Sequence, residues 1–169
     1  MNDKNAHYLF EQIVQQNKGI IYKVVRTYCY HEDDYEDLVQ EIMIQIWRSL
    51  PKYRNQFALT TWIYRISINV AISFYRKNAL RQNARISLND QHQLSTDELP
   101  DHEKEERLRL LEQFISELNE LDRAFMLLYL ENKSHVEISE ILGFSLSNVG
   151  TRIGRIKGKL KIKFSQLNS

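Results

Sequence analysis

The sequence predicts an all-α protein of two small helical domains joined by a flexible linker, over residues 1–80, 81–106 and 107–169. Three observations carry this. Apolar residues recur at helical spacing through both ends of the chain. Only 5 Gly and 2 Pro occur in 169 residues, which favours long helices over tight turns. Between the two ends a polar stretch, RQNARISLNDQHQLSTDELPDHEKEE, loses that periodicity and carries Pro100.

Leu9, Phe10, Ile13, Val14, Ile20, Ile21, Val24, Val25 and Tyr28 predict one or two helices over about residues 6–29, all core packing. In HEDDYEDLVQEIMIQIWRSL, Asp33, Asp34, Glu36 and Asp37 crowd a helix start, where the macrodipole favours anions. Leu38, Ile42, Met43, Ile46, Trp47 and Leu50 form its apolar stripe. The acids are open to two readings, helix capping or a docking face for a basic partner. Pro51 ends the helix, PKYRNQF is a short loop, and ALTTWIYRISINVAISFYRKN is helical again, with Ile63, Ile66, Val70, Ile72 and Phe74 inside. Aromatics and cations interleave there: Tyr53, Arg54, Phe57, Trp62, Tyr64, Arg65, Tyr75, Arg76 and Lys77. Such residues can stack and neutralise an unpaired strand, or form core with a solvated rim. Composition leaves both open.

Beyond the linker, Leu108, Leu111, Phe114, Ile115, Leu118 and Leu121 resume helical spacing. Phe125, Leu127, Leu128 and Leu130 continue it to a turn at Asn132. Ser134 and Glu137 then form an S-x-x-E capping box, followed by the apolar Val136, Ile138, Ile141 and Leu142. Gly143 suits a left-handed helix stop, Ser145 can cap the next helix, and Val149, Ile153, Ile156 and Leu160 give that helix one buried stripe. Two short helices about a glycine turn describe a helix-turn-helix. From Leu146 onward the charged residues are Arg152, Arg155, Lys157, Lys159, Lys161 and Lys163, with no acid. A solvated helix normally mixes signs, whereas an all-cationic end suits phosphate. Ser147, Asn148, Thr151 and Arg152 occupy the first turns, where a recognition helix reaches base edges. Gly150, Gly154 and Gly158 each cost roughly 1 kcal/mol against Ala inside a helix. Close approach of a backbone or a DNA strand would explain them, as would a frayed helix end.

The net charge of +1 averages a basic C-terminus with an acidic middle. Cys29 is the single cysteine, so no intramolecular disulfide forms, which fits a reducing cytosol. The start, MNDKNAHYLF, lacks a signal-peptide core, and no apolar run approaches the ~18 residues of a membrane span. A cytoplasmic protein without membrane insertion is the expectation. Histidines at 7, 31, 92, 102 and 135 show no ligand spacing, so no metal site is expected. Nor is there a nucleophile–base pair or a glycine-rich phosphate cradle, so neither an enzyme nor a cofactor is expected.

Taken together, the blocks resemble a bacterial RNA polymerase sigma factor of the sigma-70 family, in its compact extracytoplasmic-function (ECF) group. The resemblance runs from about residue 8 to 165 apart from the linker, in three ordered blocks. YEDLVQEIMIQIWRSL is similar to the polymerase-docking segment, FALTTWIYRISINVAISFYRKN to the promoter-melting segment, and YLENKSHVEISEILGFSLSNVGTRIGRIKGKL to the helix-turn-helix that reads the −35 element. The resemblance implies that Asp37, Leu38, Gln40 and Glu41, matching D-L-x-Q-E, dock on the clamp coiled coil of core RNA polymerase. It implies that Lys52, Tyr53, Arg54, Asn55, Gln56 and Phe57 capture a flipped base of the −10 strand. Thr61, Trp62, Arg65 and Asn69 match T-W-x-x-R-x-x-x-N, and Arg65, Arg76 and Lys77 become candidates for phosphate contact. Ser147, Asn148, Thr151, Arg152, Arg155, Lys157 and Lys159 become the −35 surface of the promoter DNA site. Ser73 departs from a frequent Asp, and Gly150 from a frequent Lys or Arg. The resemblance further implies that the acidic segment Asp97–Glu106 threads the polymerase's RNA path, and that an anti-sigma factor restrains the protein. The alternative carried forward is a stand-alone helix-turn-helix transcriptional regulator.

Overall fold

The computed structural model describes residues 3–84 and 102–167, and every element among them is helical. In order these are α1 (Asp3–Tyr28), α2 (Glu32–Ser49), a 3-10 turn (Leu50–Lys52), α3 (Leu59–Ala84), α4 (His102–Ser116), α5 (Glu120–Leu130), α6 (His135–Leu142) and α7 (Leu146–Leu167). They divide into two compact units: α1, α2 and α3 make the first, and α4, α5, α7 and the start of α6 belong to the second.

In the first unit each helix packs on the other two. The N-terminal apolar pattern, open to one or two helices, is one continuous α1. Its Ile21, Val24, Val25 and Tyr28 are buried together with Leu38, Ile42 and Ile46 of α2 and Ile63, Tyr64, Ile68, Ala71 and Phe74 of α3. Each fully enclosed Ile or Leu contributes about 2 kcal/mol through burial. The acids Glu32, Asp33 and Asp34 lie in the first turn of α2, where they offset the helix dipole. Along α3 the expected inner set is only partly inside. Ile63 and Phe74 are buried, but Ile66, Val70 and Ile72 are half-buried. Because α3 meets both α1 and α2, its inner arc is wide and takes in Thr61 and Ser67 as well.

The segment read as linker, 81–106, is shorter than expected. Helix α3 continues to Ala84 and α4 begins at His102, so residues 102–106 are helical. Asp90, Asp97, Glu98 and Asp101 lie outside the described residues. The first turns of α4 have no apolar stripe; Glu103–Arg107 and Glu105–Arg109 ion pairs at 2.6 and 4.0 Å bridge adjacent turns instead.

The second unit is closed by its helix ends. Arg123, almost fully buried, donates from Nε to the Leu118 carbonyl (2.9 Å) and from Nη2 to the Ser116 carbonyl (2.6 Å), satisfying acceptors at and just past the end of α4. Asn119 caps α5 by accepting the Asp122 N–H. Asn132, with φ 56°, ends α5 at the expected turn, and the Lys133 and Asn132 N–H groups return to the Leu128 and Tyr129 carbonyls. The Ser134–Glu137 box has both of its hydrogen bonds, at 3.2 and 2.8 Å. The Ser134 backbone bond holds the Glu137 carboxyl below its usual range. Gly143 adopts φ 76°, the left-handed stop that its position called for.

Two outcomes follow. Ser134→Ala removes the α6 cap and is expected to cost about 1 kcal/mol, read as faster amide exchange in α6. Fluorescence would miss it, because Trp47 and Trp62 both lie in the first unit. Burial, reinforced by the Asp34 charge, pushes the Cys29 thiol up to about 12. The folded state therefore holds that proton more tightly than the unfolded chain. This contribution to stability is intact below the ordinary value of 9.0 and is lost as pH rises through about 12. At neutral pH Cys29 is expected to alkylate far more slowly in the native protein than in the urea-unfolded chain, and equal rates would contradict its enclosure.

Candidate functional site

On α2, Asp37, Gln40 and Glu41 are exposed and follow one another at helical spacing. They line a cleft of about 270 Å³ with Asp34, Ile44, Phe74, Asn78 and Arg81, all from the first unit. Its rim carries three carboxylates against one guanidinium, and Ile44 and Phe74 supply apolar surface. Leu38 belongs elsewhere. It is fully buried, so it anchors the segment from below and presents no side chain to a partner.

The loop between the 3-10 turn and α3 is tied to itself. Tyr53 donates its hydroxyl proton to the Phe57 carbonyl at 2.9 Å, and its ring lies 4.7 Å from that of Trp62. Arg54 donates from Nη1 to the Pro51 carbonyl at 2.8 Å, and Asn55 takes a left-handed φ of 55°, a conformation Asn tolerates well. The Arg65 guanidinium sits 4.9 Å over the Phe57 ring. Lys52, Arg54, Asn55 and Gln56 are exposed around these rings. Along α3, Trp62, Arg65, Asn69, Ser73 and Arg76 succeed one another at steps of three and four, so they share one face that begins at the loop. Lys77 flanks it. The structure thus gathers the sequence candidates into one polar, aromatic surface. Thr61 is the exception: it is 5% exposed and points into the core.

Helix α7 divides cleanly. Val149, Ile153, Ile156 and Leu160 are all buried, and α7 packs chiefly on α5. Asn148 donates its backbone N–H to Ser145 Oγ at 3.3 Å, the expected cap. Ser147, Asn148, Thr151, Arg155 and Lys159 are exposed. Two residues expected on that surface are engaged within the protein. Arg152 donates from Nε to Asp122 Oδ1 at 2.7 Å and lies over the Phe125 and Phe144 rings. Lys157 donates to the Tyr129 hydroxyl at 3.1 Å and sits over the same ring. Lys163 likewise pairs with Glu117 and lies over Phe114. Sequence spacing could not reveal these partners, which lie 28 to 46 residues away. Of the readings of the glycines, a frayed end and a close internal approach at Gly154 and Gly158 both fall away. The helix continues to Leu167, so its end is not frayed at them, and nothing lies within 4 Å of where a Cβ would stand on Gly154 or Gly158. At Gly150 a Cβ would touch the His135 ring at an ordinary 3.6 Å.

A helical unit bearing an acidic cleft and a polar aromatic face and a second unit carrying a cationic helix-turn-helix have, between them, the form of a DNA-binding transcription protein. The family model described as Sigma-70 region 2 matches residues 13–81, and that described as Sigma-70, region 4 matches residues 108–160. The ECF RNA polymerase sigma-E factor of Haemophilus influenzae is 30% identical over 175 residues, covering 98% of this chain and 90% of its own. RNA polymerase sigma factor YlaC of Bacillus subtilis is 28% identical over 156 residues, covering 90% and 88%. The chain belongs to the sigma-70 family of RNA polymerase sigma factors, in the ECF group. Solved structures share the fold. Sigma factor RpoE of Bartonella quintana, in complex with the anti-sigma factor NepR, superposes with a TM-score of 0.73 at 17% identity, over 92% of this chain and 96% of that one. CnrH in complex with the cytosolic domain of CnrY gives 0.67 at 20% identity, over 95% and 90%. As a sigma factor the protein binds RNA polymerase and serves promoter recognition. Among the described residues no helix is long and apolar enough to cross a membrane.

Because Gly154 and Gly158 face open space, Gly154→Ala and Gly158→Ala are each expected to stabilise the second unit by roughly 1 kcal/mol, seen as a higher unfolding midpoint. A loss of stability would mean that an unseen internal contact occupies that face.

Proposed function

We propose that this sigma factor divides promoter selection between its two units. The first docks on core RNA polymerase through Asp37, Gln40 and Glu41, whose acidic cleft suits a basic coiled coil of the clamp. The loop Lys52–Phe57 and the α3 face of Trp62, Arg65, Asn69, Arg76 and Lys77 hold the opened −10 strand. Rings stack on unpaired bases and cations neutralise phosphate. The second unit lays α7 in the major groove of the −35 duplex, with Ser147, Asn148, Thr151 and Arg155 toward base edges and Lys159 toward phosphate. Tethering the two surfaces raises the effective concentration of each for a shared promoter. No bond chemistry is required of the chain; the polymerase supplies it.

The observation that carries this reading is the gathering of loop and α3 candidates on one surface, with Tyr53, Phe57, Trp62 and Arg65 packed on one another. An anti-sigma protein is proposed as a further partner and the cytoplasm as the compartment. Support for the former is that the sigma factor RpoE, which shares the fold, was captured with the anti-sigma factor NepR. The test is transcription with core polymerase on promoter templates, with and without the chain. Stimulation at a subset of templates is expected, and Asp37→Lys with Glu41→Lys should weaken core binding at least tenfold, a change of about 1.4 kcal/mol. No stimulation at any template, or core binding indifferent to both reversals, would remove the proposal.

A further inference from the structure

The geometry points to Asp122 and Arg152 as the pair that sets how α7 is presented to duplex DNA, a positioning role that keeps Arg152 off the phosphates. This rests on the reading of α7 as the helix that enters the groove.

Asp122 stands in the first turn of α5, with its side chain 7% exposed. Its Oδ2 accepts from Asn119 Nδ2 at 3.0 Å and its backbone N–H donates to Asn119 Oδ1 at 2.9 Å, so the carboxylate is held before Arg152 arrives. Arg152 Nε then donates to Oδ1 at 2.7 Å. The guanidinium plane extends over Phe125 of α5 at 5.3 Å and over Phe144 of the turn at 5.8 Å, and those rings lie 5.4 Å apart. Phe144 is fixed in turn, because its carbonyl accepts from Ser139 Oγ at 2.5 Å. One side chain therefore ties α5, the turn and α7 together. An apolar stripe allows a helix to slide or roll on its support, whereas a directional hydrogen bond to a fixed carboxylate does not.

Swinging Arg152 out to a phosphate would leave a buried carboxylate without its cation, which is strongly unfavourable. The readers on the outer face are then short side chains, Ser147, Asn148 and Thr151, with Arg155 the single long one. Short side chains reach base edges only over a narrow range of helix tilt, so presentation decides specificity.

The test uses the full chain as holoenzyme, with a duplex enriched from a randomised pool by the wild-type holoenzyme and a base-scrambled version of it. Asp122→Asn keeps the shape and removes the charge. It is expected to lower discrimination between the two duplexes roughly tenfold, with no loss of affinity for the scrambled duplex. Wild-type discrimination in Asp122→Asn, with or without tighter binding to both duplexes, would overturn the inference, since Asp122 would then do no more than sequester a phosphate-binding arginine. Arg152→Lys keeps the charge but not the planar fork. It is expected to lose discrimination with the salt slope intact, whereas wild-type discrimination would overturn the inference. So would a salt slope reduced by about one unit in Arg152→Gln. If amide exchange shows that Asp122→Asn unfolds α7, the Lys variant decides. If the wild-type holoenzyme enriches no sequence, the reading of α7 itself fails instead.

Discussion

Helix α7 must be held firmly on one side and left bare on the other, and the second unit is arranged around that requirement. Val149, Ile153, Ile156 and Leu160 supply the hold. Placed at steps of three and four, they form a stripe narrow enough to leave most of the helix circumference in water. The residues at the stripe's edges are long cations, and their stems reach back along apolar surface while their heads find partners. Lys157 takes the Tyr129 hydroxyl and ring, Lys163 takes Glu117 and Phe114, and Arg152 takes Asp122 and two rings. Each cation over a ring contributes about 0.5–1 kcal/mol at such exposed or half-exposed positions. Charge that looks uniformly external in the sequence is thus split between holding the helix and facing outward.

The first unit meets a similar demand differently. Because α3 is wedged against both α1 and α2, its buried arc is broad, and the polar Thr61 and Ser67 fall inside it. What remains outside is a single strip, and the preceding loop extends it. Tyr53 is the organiser: its hydroxyl closes the loop onto Phe57 and its ring abuts Trp62, while Arg65 covers Phe57 from the helix. On the proposed reading, rings already packed on each other lose little freedom when a base joins the stack, which is the advantage of preorganisation. The acidic cleft on α2 has a matching logic, since Leu38 and Ile42 fix the helix from beneath while Asp37, Gln40 and Glu41 remain free to face a partner.

Local rules were legible wherever both partners sit within a few residues. The Ser134–Glu137 box, the left-handed Gly143, the turn at Asn132 and the α7 stripe were all readable in that way. The start of α4 was not, because its early turns carry no apolar periodicity and the exposed Glu103–Arg107 and Glu105–Arg109 pairs leave little pattern above the noise of a charged linker. The inner face of α3 was read incompletely, with Ile66, Val70 and Ile72 only half-buried and Thr61 and Ser67 inside, because a helix with two neighbours does not bury a single clean stripe. Leu38, Thr61, Arg152 and Lys157 expose the limit of motif matching. A motif marks which positions matter, but burial and long-range pairing decide whether a side chain touches a partner or holds up one that does.

That division also bounds what the second unit can do alone. Of the cations along α7, Arg155, Lys159 and Lys161 are exposed and their side chains join no ion pair, hydrogen bond or ring contact among the described residues, whereas the exposed Lys157 is taken up by Tyr129. If each neutralises one phosphate, the salt slope of duplex binding is about three. Proteins that hold duplex tightly by themselves make roughly twice to three times as many phosphate contacts. The shortfall cannot be recovered from base contacts, since Ser147, Asn148 and Thr151 are short and the glycines at 154 and 158 present no side chain at all. On the proposed reading, a helix so equipped discriminates among duplexes already brought near it but does not capture them from solution. On the same reading the remaining affinity comes from the polymerase and from the opened strand held by the first unit. Weak duplex binding is then what keeps the factor dependent on the enzyme it directs.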